Sequence, residues 1–379
     1  MKTRKILSFS TQIGGGCFQY SDLIMSHLSD NVEKVVPEKV LEHMRTLPSW
    51  TIKYIGFSST ERLTSYVLTF IKILDGIIEK KYNSILFFGI TTWDYYYIKL
   101  FRIFKIPIFV VIHDGKMHSS EFNKKFQSRM IKIMNYATHL IFLSDYVRLT
   151  VKESLGINKP YLIVPHGLID YGLIPACEKN SNKPTLLFFG RVSRYKGVDL
   201  LMESMKQVDE TKYNKLIIAG KWDYAVPEHY NGDKIEIVNE WLTNDEKLNY
   251  LSQADMMLFP YLEATQSGVA TLAINYQKPS IVTKVGAFAE QFDKGSVIYV
   301  KPNAHELASA INNLLDDNQK LATMKCAMER LKNKYSWHNI VKEFELQLND
   351  IINNYEKNYP SHQTVQLTLC SDAAMHIAA

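Results

Sequence analysis

Cysteine is scarce and scattered. The four residues Cys17, Cys177, Cys326 and Cys370 form no C-x-x-C pair and no Cys/His spacing suited to zinc. This excludes a disulfide framework and leaves a reducing cytoplasm as the expected compartment. No apolar run approaches the roughly 20 residues of a membrane-spanning helix; the longest candidate, Ile106–Ile112, has the length of a buried strand. Met1–Leu7 starts basic, but Ser8, Ser10, Thr11 and Gln12 come directly after it. That reads as a first strand and not as a signal peptide. No Asp-x-Asp pair stands at a strand end, so no metal site is expected, and no Ser-His-Asp or Cys-His signature offers a covalent nucleophile.

What is present is a globular composition, 46% hydrophobic and 22% charged, with 22 Tyr and 18 Phe in 379 residues. The length suits two domains of about 150 residues each. The net charge of +5 is unevenly spread. Residues 1–173 hold about 22 Lys and Arg against about 14 Asp and Glu, and the remainder is slightly acidic. A basic first half fits an anionic membrane leaflet, a lipid-diphosphate acceptor, or nothing beyond ordinary surface lysines. Nothing in it points to nucleic acid.

Short apolar runs alternate with amphipathic stretches from end to end. Strand-type runs are Lys5–Phe9, Ile52–Phe57, Ser84–Phe88, Ile108–Ile112, His139–Leu143 and Tyr161–Val164. Helical spacing marks Ser21–Leu28, Arg62–Ile78 and Ser128–Asn135 between them. The polar, aperiodic stretch Ile174–Pro184 reads as a linker. The alternation then restarts with strands at Thr185–Phe189, Lys215–Ala219, Lys234–Val238, Met256–Phe259, Ser280–Thr283 and Ser296–Val300. Helices are expected over Val198–Gln207, Asp245–Gln253, Gly268–Asn275, Ala304–Asp316, Gln319–Lys334 and Trp337–Tyr355. This is an α/β pattern of parallel sheets in two domains, 1–173 and 185–334. A helical segment, 335–356, comes next, and the tail 357–379 has no period and is expected to be disordered.

The most informative run is Leu186-Leu187-Phe188-Phe189-Gly190-Arg191-Val192-Ser193-Arg194-Tyr195-Lys196-Gly197. A buried strand ends in a glycine turn and delivers two cations to the mouth of a helix. Sheet carboxyl edges and helix N-termini are where α/β domains hold anions. Arg191 suits bidentate contact to phosphate oxygens and Lys196 acts as a point charge. A second run, Ala254 to Val269, ends a strand at Pro260 and reaches a helix near Ser267-Gly268, so that Thr265, Gln266, Ser267, Gly268 and Val269 would offer backbone N–H groups to the same anion. Gly14-Gly15-Gly16 makes a tight first turn, but Gln19 breaks the dinucleotide fingerprint. His113 stands at the carboxyl end of Val110–Ile112, a ligand-facing place for a side chain that titrates near neutrality. Asp114 beside it would orient it or cap the next segment.

The first run resembles the F-x-G-R-x-x-x-x-K-G signature of glycosyltransferase family 4, nucleotide-sugar enzymes of the GT-B class. The resemblance covers the layout of most of residues 1–356 and is specific within 186–197 and 254–290. It implies the GT-B fold: two Rossmann-like domains with parallel sheets facing an interdomain cleft, and the segment 335–356 crossing back to the first domain. It implies retaining transfer of a sugar from a nucleotide diphosphate, UDP or GDP, to a saccharide or lipid-linked acceptor, without a metal. Surface polysaccharide or glycoconjugate synthesis is the setting, in the cytoplasm or at the inner face of the membrane. Arg191 and Lys196 would hold the diphosphate, Glu263 the donor sugar, and His113 a place beside the reacting carbon. Gly14, Gly15, Gly16, Gly190 and Gly220 would line the cleft, and Trp241 and Leu242 would hold the base. The family's second Glu falls on Thr271, which weakens the expected ribose contact. Val164-Pro165-His166-Gly167 resembles a hinge-side turn, and Glu290 would serve as a carboxylate at a helix N-terminus.

Two other readings share these residues. Thr271 also fits a degraded protein that binds a nucleotide sugar or a partner without turnover. A sugar-nucleotide epimerase would need its own acid and base, and none is assignable.

Overall fold

The computed structural model describes residues 5–53, 59–117, 122–177, 181–230 and 232–358. The tail beyond 358, expected to be disordered, lies outside the described residues, as does most of the expected strand Ile52–Phe57.

Two parallel sheets form the frame. The first holds seven strands: β1 (Lys5–Phe9), β2 (Val32–Pro37), β3 (Trp50–Ile52), β4 (Tyr82–Phe87), β5 (Ile108–Ile112), β6 (His139–Phe142) and β7 (Tyr161–Ile163), in the order β3-β2-β1-β4-β5-β6-β7. The helices between them are α1 (Gly15–His27), α2 (Ser59–Ile78), α3 (Thr92–Phe101), α4 (Lys124–Tyr136) and α5 (Asp145–Leu155). The central β5 is Ile-Phe-Val-Val-Ile and wholly buried, as a strand covered on both faces must be. Alternate side chains serve two layers. Ile85 and Phe87 pack under α2 to α5, while Leu86 and Phe88 pack with α1.

The second sheet has β8 (Leu186–Phe189), β9 (Leu216–Ala219), β10 (Ile235–Val238), β11 (Met256–Phe259), β12 (Ser280–Thr283) and β13 (Val297–Val300), in the order β10-β9-β8-β11-β12-β13. Its helices are α6 (Val198–Met205), α7 (Asn244–Gln253), α8 (Gly268–Asn275), α9 (Phe288–Gln291), α10 (Ala304–Leu315) and α11 (Asn318–Tyr335). The last helix, α12 (Trp337–Asn358), lies against α1 of the first unit. Trp337 packs its ring on Tyr20 and His27, and Glu345 accepts a hydrogen bond from the Ser29 amide at 2.8 Å.

In both sheets the strand order reverses direction beside the first strand, between β1 and β4 and between β8 and β11. Loops leaving those neighbours diverge and open a crevice at the carboxyl edge.

Three elements differ from the sequence pattern. β2 was not expected, because Glu33 and Lys34 interrupt its apolar run. The fold shields Glu33 with the Tyr82 hydroxyl at 2.6 Å, the Trp50 indole at 2.8 Å and Lys81 at 2.8 Å. α3 was missed because its aromatic run Tyr95-Tyr96-Tyr97 masks the helical period. Thr91 and Asp94 start it with a reciprocal capping box. α5 shows only Val147 and Val151 buried amid charged residues, with Ser144 as its cap.

Candidate functional site

The loops after β1, β8, β9, β10 and β11 meet around one cavity of about 550 Å³. Gly15, Gly16, Phe18 and Gln19 line it from the first unit. Gly190, Arg191, Lys196, Gly220, Trp241, Leu242 and Gln266 to Val269 line it from the second.

The carboxyl end of β8 builds the charged wall. Gly190 (φ +100°) and Gly220 (φ +145°) both occupy backbone conformations that side chains rarely adopt. A Cβ on Gly220 would lie 2.3 Å from the Gly190 carbonyl oxygen, so the ends of β8 and β9 come this close only because residue 220 is glycine. A Cβ on Gly190 would lie 3.6 Å from Lys196 Nζ and 3.0 Å from Val269 Cγ2. The Lys196 ammonium therefore sits between the end of β8 and the first turn of α8. It is 8% exposed and stands 5.4 Å from the centre of the Tyr261 ring. Arg191 is exposed at the rim, with Nη1 3.8 Å from Asp223 Oδ2, and Asp223 also accepts from Ser193 Oγ at 2.5 Å. An exposed pair of this kind adds little stability, and Arg191 lines the cavity beside it.

Opposite these cations is the N-terminus of α8. Ser267 caps it, accepting from the Ala270 amide. Gln291 of α9 grips Ser267 at both backbone groups, donating to its carbonyl at 3.1 Å and accepting from its amide at 3.0 Å. The cap is thereby fixed, and Gly268 and Val269 face the cavity. Two cations and a helix N-terminus converging on one volume suit a doubly charged anion such as a diphosphate.

Beside the cavity the two units are tied polar group to polar group. Glu290 accepts from the Asp145 and Tyr146 amides, both at 2.7 Å, and so caps α5 of the other unit. Ser144 Oγ donates to the Thr265 carbonyl at 3.1 Å, and the Thr265 hydroxyl donates to Asp114.

Comparison with known proteins places this arrangement. Residues 183–317 match the family described as glycosyl transferases group 1. The chain is 29% identical over 167 residues to an uncharacterized glycosyltransferase of Methanocaldococcus jannaschii, a match covering 42% of this chain and 43% of that protein. It is 27% identical over 181 residues to the lipopolysaccharide 1,2-N-acetylglucosaminetransferase of Salmonella typhimurium, covering 43% and 47%. The chain thus spans less than half the length of these two curated relatives. Among solved structures, HepE of Anabaena in complex with UDP superposes with a TM-score of 0.71 at 16% identity, over 91% of this chain and 100% of that one. The fold is GT-B.

In this GT-B cleft the sequence-derived residues occupy distinct places. Gly14 has extended backbone (φ 173°) open to any residue, whereas Gly15 at φ +76° needs glycine. Trp241 is 74% exposed at the cavity mouth, with Leu242 partly buried beside it. Glu263 is half-buried outside the cavity lining, its amide directed to the Tyr195 carbonyl at 3.4 Å. Thr271 is fully buried, and its hydroxyl donates back to the Gly268 carbonyl at 2.9 Å, one turn earlier in α8. His113 lies behind the cavity wall, edge-on to Tyr20 at 4.9 Å, with Nε2 enclosed and without a hydrogen-bond partner among the described residues. Burial, helped by His166 nearby, pushes its pKa down to about 3. The near-neutral titration expected from the sequence is therefore lost, and the imidazole is neutral at physiological pH. His166 of the hinge-side turn is also buried, with Nδ1 2.7 Å from the Gly167 carbonyl and a pKa lowered to about 4 by burial.

Several contributors to this GT-B site gave no sequence signal. Gln291 and Asp223 act through other residues, and only the fold brings them there. Glu290 does serve a helix N-terminus, but one 145 residues away in sequence. Tyr195 and Phe18, which line the cavity, lay inside or next to motifs read for other residues.

Proposed function

We propose that the chain is a glycosyltransferase that moves a sugar from a nucleoside-diphosphate sugar to a saccharide or lipid-linked acceptor, with retention, in surface polysaccharide or glycoconjugate synthesis. The observation that carries the reading is the convergence of Lys196, Arg191 and the α8 N-terminus on one cavity between two sheets. Charge that develops on the departing diphosphate meets fixed donors and cations there, and preorganised electrostatics of this kind is often the largest catalytic contribution. On this reading the cations do the work, and the transfer needs no metal. Trp241, exposed at the mouth, would stack on the base. The UDP bound by the HepE neighbour supports a uridine donor, with a guanosine donor as the competing choice. The acceptor would enter from the first unit, and drawing the two units together would exclude water.

Thr271 favours one second reading, a protein that binds a nucleotide sugar without turnover, since its hydroxyl is engaged within α8. Donor hydrolysis and nucleotide binding separate the two. The native chain and the Arg191→Ala/Lys196→Ala variant are compared on UDP-, GDP-, ADP- and TDP-sugars with a chelator present. Turnover of one donor that disappears in the variant supports the transferase. Binding that depends on both cations without turnover supports the second reading. Equal nucleotide binding by native and variant chains refutes the phosphate clamp.

A further inference from the structure

The outer face of the first unit carries a feature that the cleft does not use. Helices α2, α3 and α4 lie side by side over one face of the seven-stranded sheet. Tyr66 and Phe70 of α2 stack on Tyr97 and Phe101 of α3, and Arg102 lies over Tyr136 of α4. Their buried sides are thus accounted for. Their outer sides are not those of an ordinary solvated layer.

Helical spacing puts Leu63, Val67, Ile71 and Ile78 on one stripe of α2, on the margin nearer α3. All four are exposed, Leu63 at 61% and Ile71 at 53%. Across the seam Tyr96 and Leu100 of α3 and Ile103 just after it are exposed too, Ile103 at 69%. On α4 a shallow, largely apolar groove of about 270 Å³ is lined by Phe122, Gln127, Ser128 and Ile131 between Lys124 and Lys132. Contiguous exposed apolar surface of this kind marks an interaction face.

Along α3 and α4 the exposed charges around it have one sign. Lys99, Arg102, Lys105, Lys124, Lys125 and Lys132 are all exposed. Over residues 92–113 and 122–136 the only acidic residue is Asp94, which is fully buried in its capping box. Of the acids of α2, Glu61 falls on the margin away from α3 and Asp75 borders the Ile71 and Ile78 end of the stripe; Glu79 follows the helix. An apolar stripe bordered by unopposed cations matches a surface that is anionic outside and hydrocarbon inside. A folded protein partner would need an acidic rim and an apolar centre of matching outline; a leaflet needs neither.

We propose that the α2–α3–α4 face docks on an anionic membrane leaflet, with Leu100, Ile103 and the α2 stripe at the acyl boundary and the lysines among the lipid phosphates. Among the described residues no helix is long and apolar enough to cross the bilayer. The docking does not depend on the transferase reading.

The test is flotation of the full chain with vesicles of phosphatidylcholine alone, or with a third of phosphatidylglycerol, at low and high salt. Binding is expected only to the anionic vesicles and is expected to weaken with salt. Lys99→Ser, Lys124→Ser and Lys132→Ser should each lower the partition coefficient about fivefold. Leu100→Ser with Ile103→Ser should lower it at least tenfold, with melting temperature and nucleotide binding unchanged. Equal binding to both vesicle types, no binding to either, or variants that float like the native chain would overturn the proposal. So would a dimer in solution that the Leu100/Ile103 variant converts to monomer, since the face would then belong to a second copy.

Discussion

Lowering the pH should destabilise this protein through two histidines that the fold keeps neutral. In the unfolded chain His113 and His166 take up a proton near pH 6.5. In the folded chain burial holds His113 unprotonated to about 3 and His166 to about 4. The unfolded state therefore binds more protons throughout that interval. Stability from both groups is complete above about pH 6.5 and is lost as the pH falls toward 4. At pH 5 each contributes about 2 kcal/mol of destabilisation, about 4 kcal/mol together, a large part of a typical domain's stability. Urea unfolding at pH 7.5 and 5 measures the loss. Asp94, whose pKa burial raises, acts in the opposite direction, and His139, whose pKa burial lowers, acts in the same direction, but both do so equally in native and variant chains. His113→Phe keeps a ring edge against Tyr20, and His166→Asn keeps a donor toward the Gly167 carbonyl. Each variant should remove about 2 kcal/mol of the pH-dependent loss. The reasoning fails if both variants retain the native pH dependence, or if NMR finds either imidazole titrating near 6.5. A histidine neutral to about pH 3 also cannot set the acid limb of a rate profile, so donor turnover in His113→Phe should keep any limb near 6.5 that the native protein shows.

Two further changes probe the seam and the first turn of α8. Glu290→Gln leaves one oxygen for two amides and removes the charge at the N-terminus of α5. It should weaken the contact between the units by about 1–3 kcal/mol, read as a lower melting temperature and a larger radius of gyration in solution scattering. An unchanged radius and melting temperature would show that Glu290 does not hold the units together. Thr271→Val should leave the nucleotide dissociation constant within about twofold in calorimetry, because the hydroxyl is already committed to Gly268. A tenfold loss would mean that the hydroxyl reaches the ribose instead.

Much of this molecule was legible before folding because the signals were local. Apolar runs such as Ile108–Ile112 are strands in any α/β context, since a strand buried on both faces must be continuous in Val, Ile and Phe. The Gly190–Lys196 turn announced itself because a glycine turn, an arginine and a lysine at the start of a helix are neighbours in sequence. α3 and β2 were not legible. Their periods are broken by Tyr95-Tyr96-Tyr97 and by Glu33, and partners distant in sequence stabilise them.

The chain alone thus determined that there are two parallel sheets and that a glycine turn carrying Arg191 and Lys196 ends the first strand of the second. Tertiary structure decided how that site is held and what its side chains can do. Gln291 fixes the cap of α8, Asp223 pairs with Arg191, and Glu290 crosses to α5, each through a contact that no spacing encodes. Titration was decided there too. His113 has a near-neutral pKa as a residue in a sequence and a strongly lowered one as a residue behind Tyr20, because desolvation belongs to the surroundings and not to the residue.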